Sequence, residues 1–254
     1  MDNPMNLCQK TILISGASSG IGKEIAEQIS RLGAKVILLA RNEEKLKELE
    51  NNLEGEGHQI YVFDLSKLDE IEAIVKTIVK ENGPLDGYVH SAGIGSTRPL
   101  HMLKPLKLQE VMNVNFNSFV EVVRCLSKRS NFNEGASIIG ISSVAGQEGN
   151  QSKTAYCASK AAMDAAVRCI AKELSNRRIR ANTIAPGLAD TNMFQTFINN
   201  SGSDSEDAKN VLSRQYLGVI PPREIAMMAA FLLSDAAAHI TGTTIAIDSG
   251  RLSS

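Results

Sequence analysis

Residues 10–22 read Lys10-Thr11-Ile12-Leu13-Ile14-Ser15-Gly16-Ala17-Ser18-Ser19-Gly20-Ile21-Gly22. The run TILIS has the length and apolar character of a buried strand. It stops at a G-x-x-x-G-x-G turn, and Ile21 to Leu32 then carries apolar residues at helical spacing. Strand, glycine turn and helix in that order predict a phosphate cradle. Glycines permit a tight turn, and the unpaired N–H groups at a helix start favour an anion. On this reading Gly16, Ser18, Ser19, Gly20, Ile21 and Gly22 contact a dinucleotide pyrophosphate.

The same alternation continues outward. AKVILLA ends near Ala40 and precedes the charged helix NEEKLKELENNL, and HQIYVF ends at Asp64, with a helix over Ile71 to Val79. DGYVHS, a long helix through Val111 to Leu126, ASIIGIS, an Ala-rich helix from Thr154 to Ser175, RANTIA and TTIAID follow. Alternating strands and helices predict an α/β fold, a doubly wound parallel sheet of about seven strands with helices on both faces.

At ~150 residues per domain the 254 residues leave one or two domains open. No break in composition divides the chain. The polar stretch Ile198 to Asn210 sits inside the alternation and reads as a mobile loop, so residues 1–254 form one nucleotide-binding domain. The segment 188–218 is expected to be a substrate lid.

Composition excludes several classes of function. The 27 Lys+Arg nearly balance the 28 Asp+Glu, leaving a net charge of −1, which speaks against a nucleic-acid or anionic-membrane partner. Trp is absent and aromatics are 4% of the chain, too few for a base-stacking platform. No apolar run reaches the ~20 residues of a membrane span, and a cytoplasmic protein is expected. Cys8, Cys125, Cys157 and Cys169 show no C-x-x-C spacing and read as small buried hydrophobes; with the four histidines they predict no metal site.

At the end of the second strand stands Arg41, where an acid would bind a ribose 2′-OH. A guanidinium there favours a 2′-phosphate, hence NADP(H) over NAD(H). Asp64 and Leu65, after the third strand, are placed to meet the adenine; Asp64 could equally cap the next helix, although Ser66 is the better-placed N-cap.

The sharpest chemistry lies in Tyr156-Cys157-Ala158-Ser159-Lys160. Positions i and i+4 share a helix face, so an ammonium sits beside a phenol and favours its phenolate. Tyr156 can then exchange a proton with a substrate oxygen while hydride moves at the adjoining carbon. Ser143, thirteen residues upstream at a strand end, can hold the same oxygen, with Ser142 its rival neighbour. Asn115 lies on the long preceding helix, where it could bind a backbone carbonyl or a water that links Lys160 to solvent.

With these residues the chain resembles the short-chain dehydrogenase/reductase family over essentially its whole length. The resemblance also rests on Ser91-Ala92-Gly93, on Asn182 to Thr191, and on ITGTTIAIDSG. It implies a catalytic tetrad of Asn115, Ser143, Tyr156 and Lys160, with Ser143 and Tyr156 on the substrate. It implies that Lys160 also binds the nicotinamide ribose, that Pro186, Gly187, Ala189 and Thr191 border the nicotinamide, and that Ser91, Ala92 and Gly93 line the cofactor. Within the family the chain is most similar to 3-oxoacyl-carrier-protein reductases. The expected activity is NADP(H)-dependent interconversion of a secondary alcohol and a ketone, on an acyl thioester or a small carbonyl compound. The alternative is a non-catalytic dinucleotide sensor or scaffold of the same fold.

Two departures stand out. Ser15 replaces the usual Thr before the first glycine, and His90-Ser91 replaces the usual Asn-Asn before Ala92-Gly93, which leaves a weaker contact on the central strand. Arg177, Arg178 and Arg180 form the one tight basic cluster that could dock a carrier protein; a solvated helix end is the competing reading. The family implies a homotetramer or dimer on the two long helices, and Ala161, Ala162, Ala165, Ala166 and Ala171 offer a close-packing face.

Overall fold

Seven parallel strands form one sheet in the order β3-β2-β1-β4-β5-β6-β7 in the computed structural model, which describes residues 3–201 and 212–253. The strands are β1 Thr11–Ser15, β2 Lys35–Ala40, β3 Gln59–Val62, β4 Leu85–His90, β5 Phe132–Ile141, β6 Arg180–Pro186 and β7 Thr244–Ile247. Both faces are covered, which is why the strands read as continuous apolar runs rather than alternating ones. Ile12 and Ile14 point to one core with Ile25, Ile29, Leu46 and Ile225, while Leu13 points to the other with Val75, Phe119, Met163 and Val167.

The first core lies under α1 (Gly20–Arg31), α2 (Glu43–Asn52) and α8 (Pro222–Leu233). The second lies under α3 (Ile71–Asn82), α5 (Ser118–Leu126) and α6 (Thr154–Glu173). The chain also carries α4 (Pro105–Met112) and α7 (Asn192–Ser201). Because every strand runs the same way, the segments after β1 to β6 open at a single edge. The order reverses between β1 and β4, and that crevice is where such sheets take ligands.

Several sequence expectations change. The helix predicted through Val111 to Leu126 is two helices joined by a π-turn over Asn113–Asn117. Strand five begins earlier than ASIIGIS, at Phe132, and ends at Ile141, so Ser143 stands two residues past it. The loop expected from Ile198 begins inside α7, and residues 202–211 lie outside the described residues. The sequence reading also passed over α8, whose apolar residues run so densely that no polar face marks its period. Neither Asp64 nor Ser66 caps α3: Asp64 Oδ1 accepts from the Ser66 N–H at 2.9 Å, and a 3-10 turn over Leu68–Glu70 intervenes.

Of the cysteines, Cys125 alone is buried; Cys8 and Cys169 are exposed and Cys157 lies between. Ala171 is buried, so it leaves the proposed packing face, whereas Ala161 and Ala165 remain exposed. The basic cluster is largely structural. Arg180 is buried and donates to the carbonyls of Leu232 and Ser234, and Arg177 donates to those of Ser127 and Phe132. Among the described residues no helix is long and apolar enough to cross a membrane.

Candidate active site

The glycine turn is built by close approach. Gly16 has φ +70°, and a side chain there would meet the Ala92 nitrogen at 2.5 Å. Ser91 N donates to Ser15 O at 3.0 Å, so the turn and the Ser91-Ala92-Gly93 segment are locked together across β1 and β4. Ser19 precedes α1 in an extended conformation without capping it, and the first turn carries no acid. The leading N–H groups of α1 thus keep their hydrogen-bonding capacity for an anion, and the local charge does not repel one. Thr191 lies against this turn, with its methyl 3.4 Å from the position of a Gly20 side chain.

Arg41 and Asp64 face each other at the ends of β2 and β3, 4.0 Å apart, with the arginine side chain 72% exposed. Burial pushes the Asp64 carboxyl up, but the Ser66 N–H and hydroxyl, Arg41 and Lys67 bring it net below its ordinary value. Asp64 is therefore an oriented carboxylate, and Leu65 beside it is buried. Arg41 holds its charge at the sheet edge with only that weak pairing, which screening leaves small.

The tyrosine and lysine of α6 come together as expected. Lys160 Nζ lies 5.7 Å from the Tyr156 ring centroid and donates to the Ile141 carbonyl at 2.7 Å. Gly140 makes this approach of α6 to β5 feasible, since a side chain there would strike Met163 Sδ at 2.6 Å. Burial lowers Lys160 to about 8, opposed by the negative charge of Asp164 one turn on. Burial raises Tyr156, opposed by a hydrogen bond with the Ser143 hydroxyl. The free site therefore holds a neutral phenol, contrary to the expected pull toward phenolate, because burial outweighs the neighbouring charge. A neutral phenol is what a proton donor to a substrate oxygen requires.

The two serines separate clearly. Ser142 is buried, and its hydroxyl donates to the Lys160 carbonyl at 3.3 Å. Ser143 Oγ accepts from Ala145 N at 3.2 Å and lies 3.4 Å from the Pro186 carbonyl, at the mouth of the crevice. Asn115 is fully buried in the π-turn. Its Oδ1 accepts from Ile94 N at 2.8 Å, and its Nδ2 donates to Ile94 O and to Ser159 Oγ at 3.0 Å. Ser159 in turn donates to the Tyr156 carbonyl at 2.7 Å. Asn115 Oδ1 and Lys160 Nζ both face Gly93, 3.5 and 3.6 Å from where its side chain would start. A π-turn at this point is informative, because such insertions free backbone groups from the helical ladder and recur at functional sites.

Pro186, Gly187, Ala189 and Thr191 line the edge after β6. The ends of the expected lid are pinned there. Ala189 pairs with Ile220 in an isolated bridge, and buried Gln215 accepts from Leu188 N and donates to the carbonyls of Leu188 and Gly218. Sequence reasoning missed Gln215, Ser159 and Asp164. It also missed a buried cluster behind the turn, where Ser15 Oγ and Tyr88 Oη lie 3.0 and 2.7 Å from His90 Nδ1. Polar residues inside the strand LDGYVH were the available signal. Away from this edge, Glu72, Glu121 and Cys125 form an acidic group whose carboxylates are bound by Arg124 and Lys128.

A family profile described as Enoyl-(Acyl carrier protein) reductase matches residues 16–251. The 3-oxoacyl-[acyl-carrier-protein] reductase FabG of Vibrio cholerae is 33% identical, over 97% of this chain and 98% of that protein. Its counterpart from Thermotoga maritima is 34% identical, over 97% and 99%. Among solved structures, a dehydrogenase/reductase from Sinorhizobium meliloti has TM-score 0.87 and 29% identity, over 98% of this chain and 97% of its own. A blue fluorescent protein from a metagenomic library, in complex with NADPH, has TM-score 0.86 and 26% identity, over 97% and 99%.

Proposed function

The chain belongs to the short-chain dehydrogenase/reductase family of NAD(P)-dependent oxidoreductases acting on CH–OH and C=O groups, and on that premise we propose that it reduces a ketone with NADPH. A 3-oxoacyl thioester is the first candidate substrate and a small free ketone the second. The observation that carries the proposal is the convergence of Ser143, Tyr156 and Lys160 at the crevice between the sheet halves. Two neighbouring hydroxyls can each turn a single O–H to one carbonyl oxygen. The intact set speaks against the sensor alternative, since binding alone has no need of it.

The dinucleotide site is assigned to Gly16, Ser18, Ser19, Gly20, Ile21 and Gly22 for the pyrophosphate, with Asp64 and Leu65 toward the adenine. Ser91, Ala92, Gly93, Pro186, Gly187, Ala189 and Thr191 line its far end. Bound there, the reduced nicotinamide supplies the hydride. The rest is the work of the protein. Ser143 orients the carbonyl oxygen, and Tyr156 gives that oxygen its phenolic proton. Lys160 stabilises the phenolate left behind, and Asn115 with Ser159 fixes the helix start that holds both. Asp164, buried and accepting from Thr183 Oγ1 at 2.7 Å, offsets the charge of Lys160.

The choice of NADP(H) rests on Arg41. Arg41→Ala is expected to raise the Kd for NADPH about tenfold and leave that for NADH within about twofold, as for one exposed charge-assisted contact. Calorimetric titration of both cofactors checks this, and equal effects would refute the 2′-phosphate contact.

The 3-oxoacyl-[acyl-carrier-protein] reductases among its relatives support the thioester reading, while the family profile carries an enoyl reductase description. The convergence of two donors on one oxygen favours the carbonyl. NADPH oxidation measured with acetoacetyl, crotonyl and free-ketone substrates decides between them; turnover of the crotonyl thioester alone would overturn the carbonyl reading. With Arg177 and Arg180 satisfied by main-chain carbonyls, the cluster they form does not support a carrier-protein dock. Exposed Ala161 and Ala165 on α6, with Leu106 and Leu108 on α4, support a homo-oligomer.

A further inference from the structure

We propose that Arg251 is a positioning residue of this reductase site, fastening segment 212–218 and the turn after β7 to the loop between Ser143 and Tyr156 through one shared carboxylate, that of Glu148. The inference rests on the reductase reading above and concerns residues outside the tetrad and the cofactor site.

Arg251 stands in the turn after β7, and the sequence there sends it inward. Asp248 accepts from Gly250 N at 3.0 Å through one carboxylate oxygen and from Leu252 N at 2.8 Å through the other. Gly250 has φ +85°, and a side chain on it would meet the Tyr216 ring at 2.6 Å. Folded this way, the turn leaves Arg251 only 4% exposed, a place for a guanidinium only when it is paired. Its partner is Glu148, just past Ser143, with its N–H on the Val144 carbonyl at 3.0 Å. Glu148 Oε1 accepts from Arg251 and, at 3.1 Å, from Asn150 Nδ2. Arg251 also donates to Asn150 Oδ1 at 3.3 Å.

The other oxygen of the same carboxylate, Oε2, pairs with Arg214 at 3.1 Å, and Arg214 donates in turn to the Arg251 carbonyl at 3.3 Å. Arg214 opens a run of three residues that each make a different tie. Buried Gln215 holds both main-chain groups of Leu188, and Tyr216 N donates to Ser249 O at 2.7 Å. These ties meet at Gly187, where a side chain would strike Gln215 Oε1 at 2.5 Å and Asp248 Cα at 3.1 Å. Segment 212–218, where the expected lid rejoins the fold, thus forms one body with the turn after β7 and the loop around Glu148. Removing the Arg251 guanidinium cuts the side-chain tie between that loop and the turn, and leaves the charge of Glu148 to Arg214. The tetrad keeps its own supports, Lys160 on the Ile141 carbonyl and Ser143 on Ala145 N. The clamp therefore acts on where the substrate sits, and its loss falls on KM more than on proton transfer.

Two measurements test this, one of them independent of turnover. Amide hydrogen exchange of the peptides covering 145–153 and 212–218 is expected to quicken together in Arg251→Met, by about tenfold, while that of α1 stays as in wild type. In the reductase assay the same variant is expected to raise KM for an acetoacetyl thioester about tenfold, with kcat and the NADPH Kd within about threefold. Glu148→Gln is expected to move both readouts in the same direction. The double variant is expected to be no worse than the more affected single one, because both substitutions act through one carboxylate. Unchanged exchange in either segment, a loss confined to kcat, or additive effects of the two substitutions would overturn the proposal. Should Arg251→Met not fold, Glu148→Gln alone is read by both measurements against the same outcomes. If the wild-type chain reduced no carbonyl, the reductase reading would fail, and the exchange measurement alone would uphold or overturn the clamp.

Discussion

Tyr156→Phe is expected to cut kcat about a thousandfold while leaving the NADPH Kd within a few-fold of wild type. The size follows from what the phenol does. General acid catalysis by a positioned group contributes roughly 10²–10⁴, and the neighbouring Lys160 has its ammonium engaged on the Ile141 carbonyl. Ser143 lies beside Tyr156 and can hold the substrate oxygen, but an aliphatic hydroxyl is far too weak an acid to replace the phenol. The substitution removes one oxygen and no ring atom, so the crevice keeps its shape. Turnover comparable to wild type would remove Tyr156 from the mechanism. A parallel loss of cofactor affinity would mean that the oxygen serves binding instead.

Lys160→Met is expected to lower kcat at least a hundredfold and also to change how stability depends on pH. Burial drops Lys160 from its ordinary 10.5 to about 8. Below about pH 8 both the folded and unfolded chains carry this proton, and the folded state bears the full cost of burying it. Between about 8 and 10.5 the unfolded chain binds the proton more, so stability gained from this site rises with pH. The integrated gain is about 3 kcal/mol across that window. The Met variant lacks it, and loses the bond to the Ile141 carbonyl at every pH. Denaturant unfolding of both proteins should therefore give a wild-type minus variant difference that climbs through the window. Parallel curves would place Lys160 at its ordinary value and weaken the electrostatic account of the phenolate. The cost below pH 8 is a price in stability set by the chemistry at the site.

The strand-turn-helix at residues 10–32 made the sheet legible because its periodicity, its glycines and its position agree with one another. The Tyr156 and Lys160 pair was legible for a similar reason, since helical spacing alone brings them together. Ser143 could not be separated from Ser142 by sequence, because the decision depends on which way the chain turns after Ile141. The π-turn was hidden as well. Nothing in NVNFN distinguishes an inserted residue from an ordinary helical run, and the insertion is justified by tertiary contacts of Asn115 with Ile94 and Ser159. The basic cluster misled toward a surface because charge in sequence says nothing of main-chain carbonyls nearby; Arg177 and Arg180 close off the ends of other elements. His90-Ser91 is legible as a departure, with the weaker contact expected from the short Ser91. That His90 Nδ1 meets Ser15 and Tyr88 follows only from the side-by-side register of β1 and β4.

The central claim, that this chain moves hydride to a carbonyl carbon and does not merely bind a dinucleotide, is tested by isotope transfer. The protein is incubated with an acetoacetyl thioester and NADPH carrying deuterium at the nicotinamide carbon that gives up hydride. The account predicts a 3-hydroxyacyl product holding one deuterium on its new carbinol carbon, formed by the wild type and not by Tyr156→Phe. Tight NADPH binding with no deuterium reaching any carbonyl substrate of the panel would contradict it and leave the chain a dinucleotide-binding protein without this chemistry.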